Sequence, residues 1–136
     1  MSIFTPTEIE YLQNQPLGRL ATVNAAGKPQ IAPVGFHYNP ELEVIEIGGR
    51  TMSKSKKFRN TLKNPNVSFV VDDVLPPWHP RGVEIRGTAQ ALPTGGKALF
   101  GSRYDADDAL LRITPVQIIS WGLENDTYTA LNRKVK

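Results

Sequence analysis

The residues with the plainest chemical purpose lie in one short stretch. Between Arg50 and Lys63 the sequence RTMSKSKKFRNTLK carries Arg50, Lys54, Lys56, Lys57, Arg59 and Lys63, with no acidic residue. A single dense cationic cluster suits a localised anion, such as a phosphate or a carboxylate tail; an extended polyanion is more often met by several separated patches. The spacing predicts a basic helix over 53–62, stopped by Asn64-Pro65, with Phe58 and Leu62 turned inward. On such a helix Lys57 and Asn60 share one face, and Ser53 and Lys54 lie one turn earlier. Its N-terminus would add unpaired N–H groups and the positive end of a dipole. Gly48-Gly49, just upstream, would let a ligand approach the backbone closely. Two readings fit this local pattern, a phosphate cradle and a solvated basic face.

A second candidate is VLPPWHPRG at 74–82. Pro76, Pro77 and Pro80 stiffen a loop around Trp78, a costly aromatic to leave on a turn. Such a loop can serve as a ligand lid or subunit contact, or the Trp can fold back on its own domain. The familiar catalytic signatures are missing: no Walker loop, no dinucleotide fingerprint after a strand, no GxSxG elbow and no cysteine nucleophile. Asp72 and Asp73 are neighbours on a strand and therefore face opposite ways, so they read as a strand-end turn signal. His37 in GFHY and His79 in PWHP read as structural. With two histidines and no cysteine, disulfides and thiol chemistry are excluded and a transition-metal site has too few ligands.

These residues need elements to position them. TPTE at the start predicts a capped helix, with Thr5 as cap, Pro6 in the first turn and Glu8 completing a capping box. Strand patterns follow at 18–24 and 29–38, around a turn containing Gly27, and then at 42–48 after an Asn-Pro-Glu turn. Further strands are expected at 67–72, 83–92, 116–123 and 127–131, with a small helix near 94–102. Many short strands with tight turns and few helices imply a mainly β fold, a closed or partly closed antiparallel barrel. Closure also removes the unpaired edges that such strands would otherwise leave.

The bulk composition agrees. Of 136 residues 40% are hydrophobic and 21% charged, with a net charge of +3. This is an ordinary globular balance and one domain's length, read as a single domain over 1–136. No apolar run approaches membrane-spanning length, and the N-terminus has no secretory pattern, so a cytoplasmic protein is expected. The cations crowd one predicted helix and aromatic residues are not spread along a sheet face, which argues against a nucleic-acid binder.

The order GRLATVNAAGKPQIAPVGF, KKFRNTLKNPNVSFVVDD, VEIRGTA and ITPVQIISWGL resembles the pyridoxamine 5′-phosphate oxidase-like split-barrel superfamily. Within it, the sequence is most similar to the small F420-dependent flavin/deazaflavin oxidoreductase B group. The resemblance covers about 17–92 and the closing strand. It implies a six-stranded Greek-key split barrel with short flanking helices, paired as a homodimer with cofactor sites at the interface. Carried over, Gln30, Ala32, Pro33 and Val34 would line the flavin-like ring, largely through backbone. Gly49, Arg50 and Thr51 would approach the ring and ribityl chain. Lys57 and Asn60 would match the family's Lys-x-x-Asn phosphate site, with Lys56 helping. Pro77 and Trp78 would reach across from the partner subunit. The implied activity is hydride transfer between coenzyme F420 and a small organic substrate. An FMN-binding oxidoreductase and a deazaflavin-binding protein without turnover are the alternatives. The chain lacks the basic C-terminal extension with which true pyridoxamine phosphate oxidases hold their substrate, so that vitamer is not the expected substrate. The cofactor does the hydride chemistry, which accounts for the absent acid and base; neither His37 nor Tyr38 is assigned as a proton donor.

Overall fold

Turn chemistry cuts the chain into short antiparallel arms. The computed structural model describes residues 2–124 and 130–135. β1 (Gly18–Val23) and β2 (Pro29–Val34) are joined by a turn in which Asn24 Oδ1 accepts from the N–H groups of Ala26 and Lys28. Gly27 supplies the positive φ, 79°, that this turn requires. After a break at Gly35-Phe36, β3 (His37–Asn39) pairs with β4 (Val44–Ile47). β5 (Asn66–Leu75), β6 (His79–Leu92) and β7 (Leu110–Trp121) form a meander, and β8 (Leu131–Lys134) pairs with the second half of β7.

The hydrogen-bonded order is β2-β1-β5-β6-β7-β4-β3. β2 and β3 are consecutive in the chain yet stand at opposite edges of that order. The sheet must therefore curl until its edges meet at Gly35-Phe36. The result is a split barrel, joined covalently at this seam but with no ladder from β2 to β3 among the described residues. Side chains from the whole sheet share one core: Leu20 of β1, Ile45 and Ile47 of β4, Phe69 of β5, Ile85 of β6 and Ile113 of β7. Each such buried side chain contributes roughly 1.5–3 kcal/mol. Phe36 packs edge-on against Phe69 at 5.2 Å and plugs the barrel beneath the seam.

Three short helices flank the barrel. In α1 (Pro6–Gln13), Thr5 Oγ1 accepts from the Glu8 N–H and Glu8 Oε1 accepts from the Thr5 N–H, closing the expected capping box. Tyr11 then donates its hydroxyl proton to Asp73 at 2.7 Å, which fixes α1 to the β5–β6 hairpin. A single 3-10 turn, Met52–Lys54, precedes α2 (Lys56–Lys63), whose cap is Ser55. α3 (Gly96–Phe100) stands between β6 and β7.

The mainly β split barrel agrees with the sequence reading, and several details differ. Among the described residues there are eight strands rather than six, because the arm at 29–38 breaks at the seam and β8 is added. The basic helix begins at Lys56; Ser53 and Lys54 belong to the separate 3-10 turn. Leu62 is 65% exposed, because α2 meets the barrel through Phe58 and Thr61 and Leu62 lies farther round the helix. Leu42, which alternation along 42–48 places on a buried face, is exposed, while all four residues of β4 are buried. The hairpin ladder runs on from Asp72↔Gly82 to Leu75↔His79, so the proline-bounded loop shrinks to Pro76, Pro77 and Trp78. The expected strand at 127–131 lies mostly outside the described residues.

Candidate functional site

α2 lies along the face of β1, and between its first turns and β2 the barrel wall is hollow. A cavity of about 300 Å³ is lined by Leu20, Thr22, Gln30, Ile31, Ala32, Lys56 and Lys57. A second, of about 410 Å³, runs on from it along 24–26, Arg59, Asn60 and Lys63, sharing Gln30 and Lys56. No carboxylate lines either one. Lys57 is partly buried and has no ion-pair partner among the described residues. Burial pulls its pKa below the usual lysine value. Withdrawing an ammonium from water without a counter-charge is unfavourable, and an anion in the cleft would relieve it.

Asn60 stands beside Lys57 on the same face, as the three-residue spacing requires. Its Nδ2 group donates to Gln30 Oε1 at 2.8 Å and to Thr22 Oγ1 at 3.0 Å. Gln30 is thereby held against the helix, where it lines both cavities. Thr22, 2% exposed, was invisible to sequence reasoning because its partner is 38 residues away.

β2 is an edge strand. Pro29 and Pro33 have no N–H to give the ladder, so their nitrogens belong on the outer side. Alternation then turns the Ile31 N–H to that same free edge, and the Ile31 side chain is 70% exposed. Ala32 and Pro33 remain accessible, whereas the Val34 side chain is in the core and offers only its backbone.

The loop from Gly48 to Thr51 joins β4 to the 3-10 turn. A side chain at Gly48 would stand 2.4 Å from the Phe100 ring, so this glycine admits the protein's own aromatic residues and not a ligand. Gly49 has no such crowding. Its carbonyl accepts from the Asp107 N–H at 2.8 Å, and the Asp107 carboxylate accepts from the Ser53 N–H at 2.8 Å. Hydrogen bonds from the Ser53 side chain and backbone hold the Asp107 carboxyl below its ordinary pKa. Arg50 lies 5.6 Å from the centre of the Tyr104 ring, and Thr51 makes no capping hydrogen bond. Asp107 and Tyr104 lie more than fifty residues beyond the loop they hold, so no local signal announces them.

Pro77 and Trp78 are at the tip of the β5–β6 hairpin and line neither cavity beside α2. Trp78 is 67% exposed, and Val74 and Leu75 near it are also exposed. The two aspartates serve as structure. Asp72 pairs with Arg19 at 2.6 Å, while Asp73 faces the other way and binds Arg81 through both oxygens. His79 Nε2 is 2.9 Å from the Gly122 carbonyl, a contact between the start of β6 and the residue that follows β7.

Comparison with known proteins agrees with this architecture. The pyridoxamine 5′-phosphate oxidase family matches over residues 4–122. A 5a,11a-dehydrotetracycline/5a,11a-dehydrooxytetracycline reductase of Streptomyces rimosus is 49% identical over 133 residues, covering 96% of this chain and 92% of its own. Among solved structures, General Stress Protein 26 of Bacillus anthracis superposes with a TM-score of 0.70 at 20% identity, covering 95% of this chain and 96% of that one. A FAD-binding protein of Mesorhizobium loti superposes at 0.67 with 18% identity, covering 88% and 94%. At those identities the structures speak for the fold alone. The match across most of the barrel and the close reductase relative make the chain an oxidoreductase that belongs to the pyridoxamine 5′-phosphate oxidase family.

Proposed function

We propose that this oxidoreductase is an F420-dependent reductase that works as a homodimer on a conjugated polycyclic substrate. The observation that carries the reading is the cleft between α2 and the β2 edge, cationic, free of carboxylates among the described residues and holding a partly buried Lys57 with no ion-pair partner among them. Such a donor set fits an anionic cofactor tail. Lys57 and Lys56 would hold the phosphate, and Asn60 would keep Gln30 turned toward the ligand. The outward edge of β2, from Gln30 through Ile31 to Val34, would present its backbone to the ring. Gly49, Arg50 and Thr51 would border the ring from the other side. Lys54, Arg59 and Lys63 extend the positive charge past the phosphate. That extension favours F420, with its polyglutamate tail, over FMN, which ends at the phosphate. When bound, a deazaflavin supplies hydride transfer from its own ring. The protein's share is to orient the ring, shape the substrate pocket and keep water out.

The substrate class is supported by the relative named as a dehydrotetracycline reductase, 49% identical along nearly the whole chain. The dimer is supported by exposed apolar side chains that a single copy leaves unexplained, above all Trp78 and Ile31. In the dimer, Pro77 and Trp78 of one subunit would cover the ring bound by the other.

A paired titration with F420 and FMN, read by cofactor fluorescence on wild type and Trp78→Ala, tests the reading. F420 is expected to bind more tightly than FMN, and Trp78→Ala to weaken F420. A preference for FMN would move the protein to flavin chemistry, and binding of neither would sink the cofactor assignment.

A further inference from the structure

A larger cavity opens on the other side of the Gly48–Thr51 loop. It has a volume of about 840 Å³ and lies at the seam of the barrel, between residues 12–16 at the end of α1, the stretch 35–38 and the residues that end and follow α3. It shares no lining residue with the cleft at α2. We infer that this cavity is the substrate site and that it selects a flat, fused-ring organic anion, with Arg103 binding the anionic oxygen. The inference rests on the reductase reading above.

The size is right for a small molecule, since such sites run from roughly 300 to 1,000 Å³. Phe36, Tyr38, Phe100 and Tyr104 give it aromatic walls, and Gln13, Asn14 and Gln15 line the side toward α1. Phe100 and Tyr104 lie with ring centres 6.0 Å apart and planes tilted by 30°. No carboxylate lines the cavity, while His37 and Arg103 do. The Arg103 guanidinium lies 5.5 Å from the centre of the Phe100 ring and has no ion-pair partner among the described residues. An arginine braced on an aromatic face is weakly hydrated, flat and oriented, with donors free at its edge. This combination fits an enolate, phenolate or carboxylate carried by a stacked ring system. A simple hydrocarbon would need no cation, and a polyphosphate would need no aromatic walls.

Position links this cavity to the proposed cofactor. Gly35 lines it and directly follows Val34, the last residue of the edge proposed to face the ring. Tyr104 lines it too, and carries Arg50 from the loop proposed to border the ring. A substrate here would lie at the ring end of the cofactor and away from its charged tail.

The test titrates full-length protein calorimetrically with two three-ring probes, anthraquinone-2-sulfonate and uncharged 2-(hydroxymethyl)anthraquinone. Wild type is expected to prefer the anion. Arg103→Ala should weaken the sulfonate about tenfold or more and the neutral probe less than about twofold, the pattern for losing one charge-assisted contact. Arg103→Lys should restore part of the difference. Gly35→Leu should weaken both probes about tenfold, because a Cβ at Gly35 meets no atom within 4 Å and its larger side chain can occupy the space without moving the backbone. Cofactor affinity and Tm should be unchanged in Arg103→Ala. Wild-type affinity for the sulfonate in Arg103→Ala, or for both probes in folded Gly35→Leu, would overturn the inference. Failure of the cofactor reading looks different: neither F420 nor FMN would bind, yet the anion would still depend on Arg103.

Discussion

At Lys57 the protein half withdraws an ammonium from water and offers no carboxylate in return. Its pKa is depressed by burial, so between the folded and unfolded values the unfolded chain binds more protons. Stability of the cofactor-free protein should therefore rise with pH through that window, and removing the amine should remove a cost already present at neutral pH. Lys57→Met is thus expected to raise the Tm of the apoprotein while weakening F420 binding by about 1.5–3 kcal/mol. Thermal melts with and without cofactor would show the two effects in opposite directions; a variant less stable and equally tight would remove Lys57 from the site. The same group sets a pH dependence. The proposed anion would bind the charged amine, so affinity should decline on the alkaline side earlier than for an ordinary lysine, and the decline should vanish in the variant. The sequence disclosed Lys57 and Asn60 because helical spacing is local. It could not disclose that Asn60 spends its amide on Thr22 and Gln30, since those bonds form only when β1, β2 and α2 are packed.

Between elements, the site depends on how one loop is held. Gly49 and Ser53 are both tied to Asp107, so the loop before α2 takes its shape from the segment after α3. Asp107→Ala is expected to speed amide exchange at 49–55 while leaving β5 and β6 protected, and to weaken cofactor binding severalfold. Unchanged exchange in that loop would show that the carboxylate does not order it. At this scale the sequence was informative wherever a pattern was short in range. The capping box of α1, the turn at Gly27 and the alternation in β6 all read correctly. It misled where tertiary cover overrode the pattern. β4 is buried on both faces because Glu46 is covered by Arg112 of β7 and by Asn39, which no alternation rule anticipates. Leu62 was assigned inward for being apolar, yet Thr61 is the residue beneath α2.

Across the whole molecule, the first helix is tied to the last strand by a buried carboxylate. Glu8 is 1% exposed and binds Arg133 of β8, while Arg133 also donates to the Ile3 carbonyl at 2.9 Å. Burial alone would raise the Glu8 pKa, but hydrogen bonds from Arg133, Ser120 and Thr5 outweigh it and the pKa is lowered. The stabilisation is therefore present above the ordinary glutamate pKa and is lost as pH falls through the folded value. Arg133→Met leaves the carboxylate buried and unpaired, at a cost of about 3–5 kcal/mol near neutrality. The gap from wild type should narrow in acid, where the carboxyl can take up a proton; denaturant melts at two pH values would check it, and a gap independent of pH would discount the ion pair. The seam at Gly35-Phe36 has an opposite character. Because no ladder crosses it among the described residues, a change of residue size at Gly35, where an added Cβ meets no atom within 4 Å, cannot propagate as a slip of strand register, whereas Phe36 is held in the barrel core against Phe69. At Gly35 the dimensions of the cavity beneath the seam are thus adjustable without altering the barrel's shape, although Leu12, Phe36 and Tyr38 serve both cavity and core. A scaffold of this kind can change what it accepts at that one position without renegotiating how it folds.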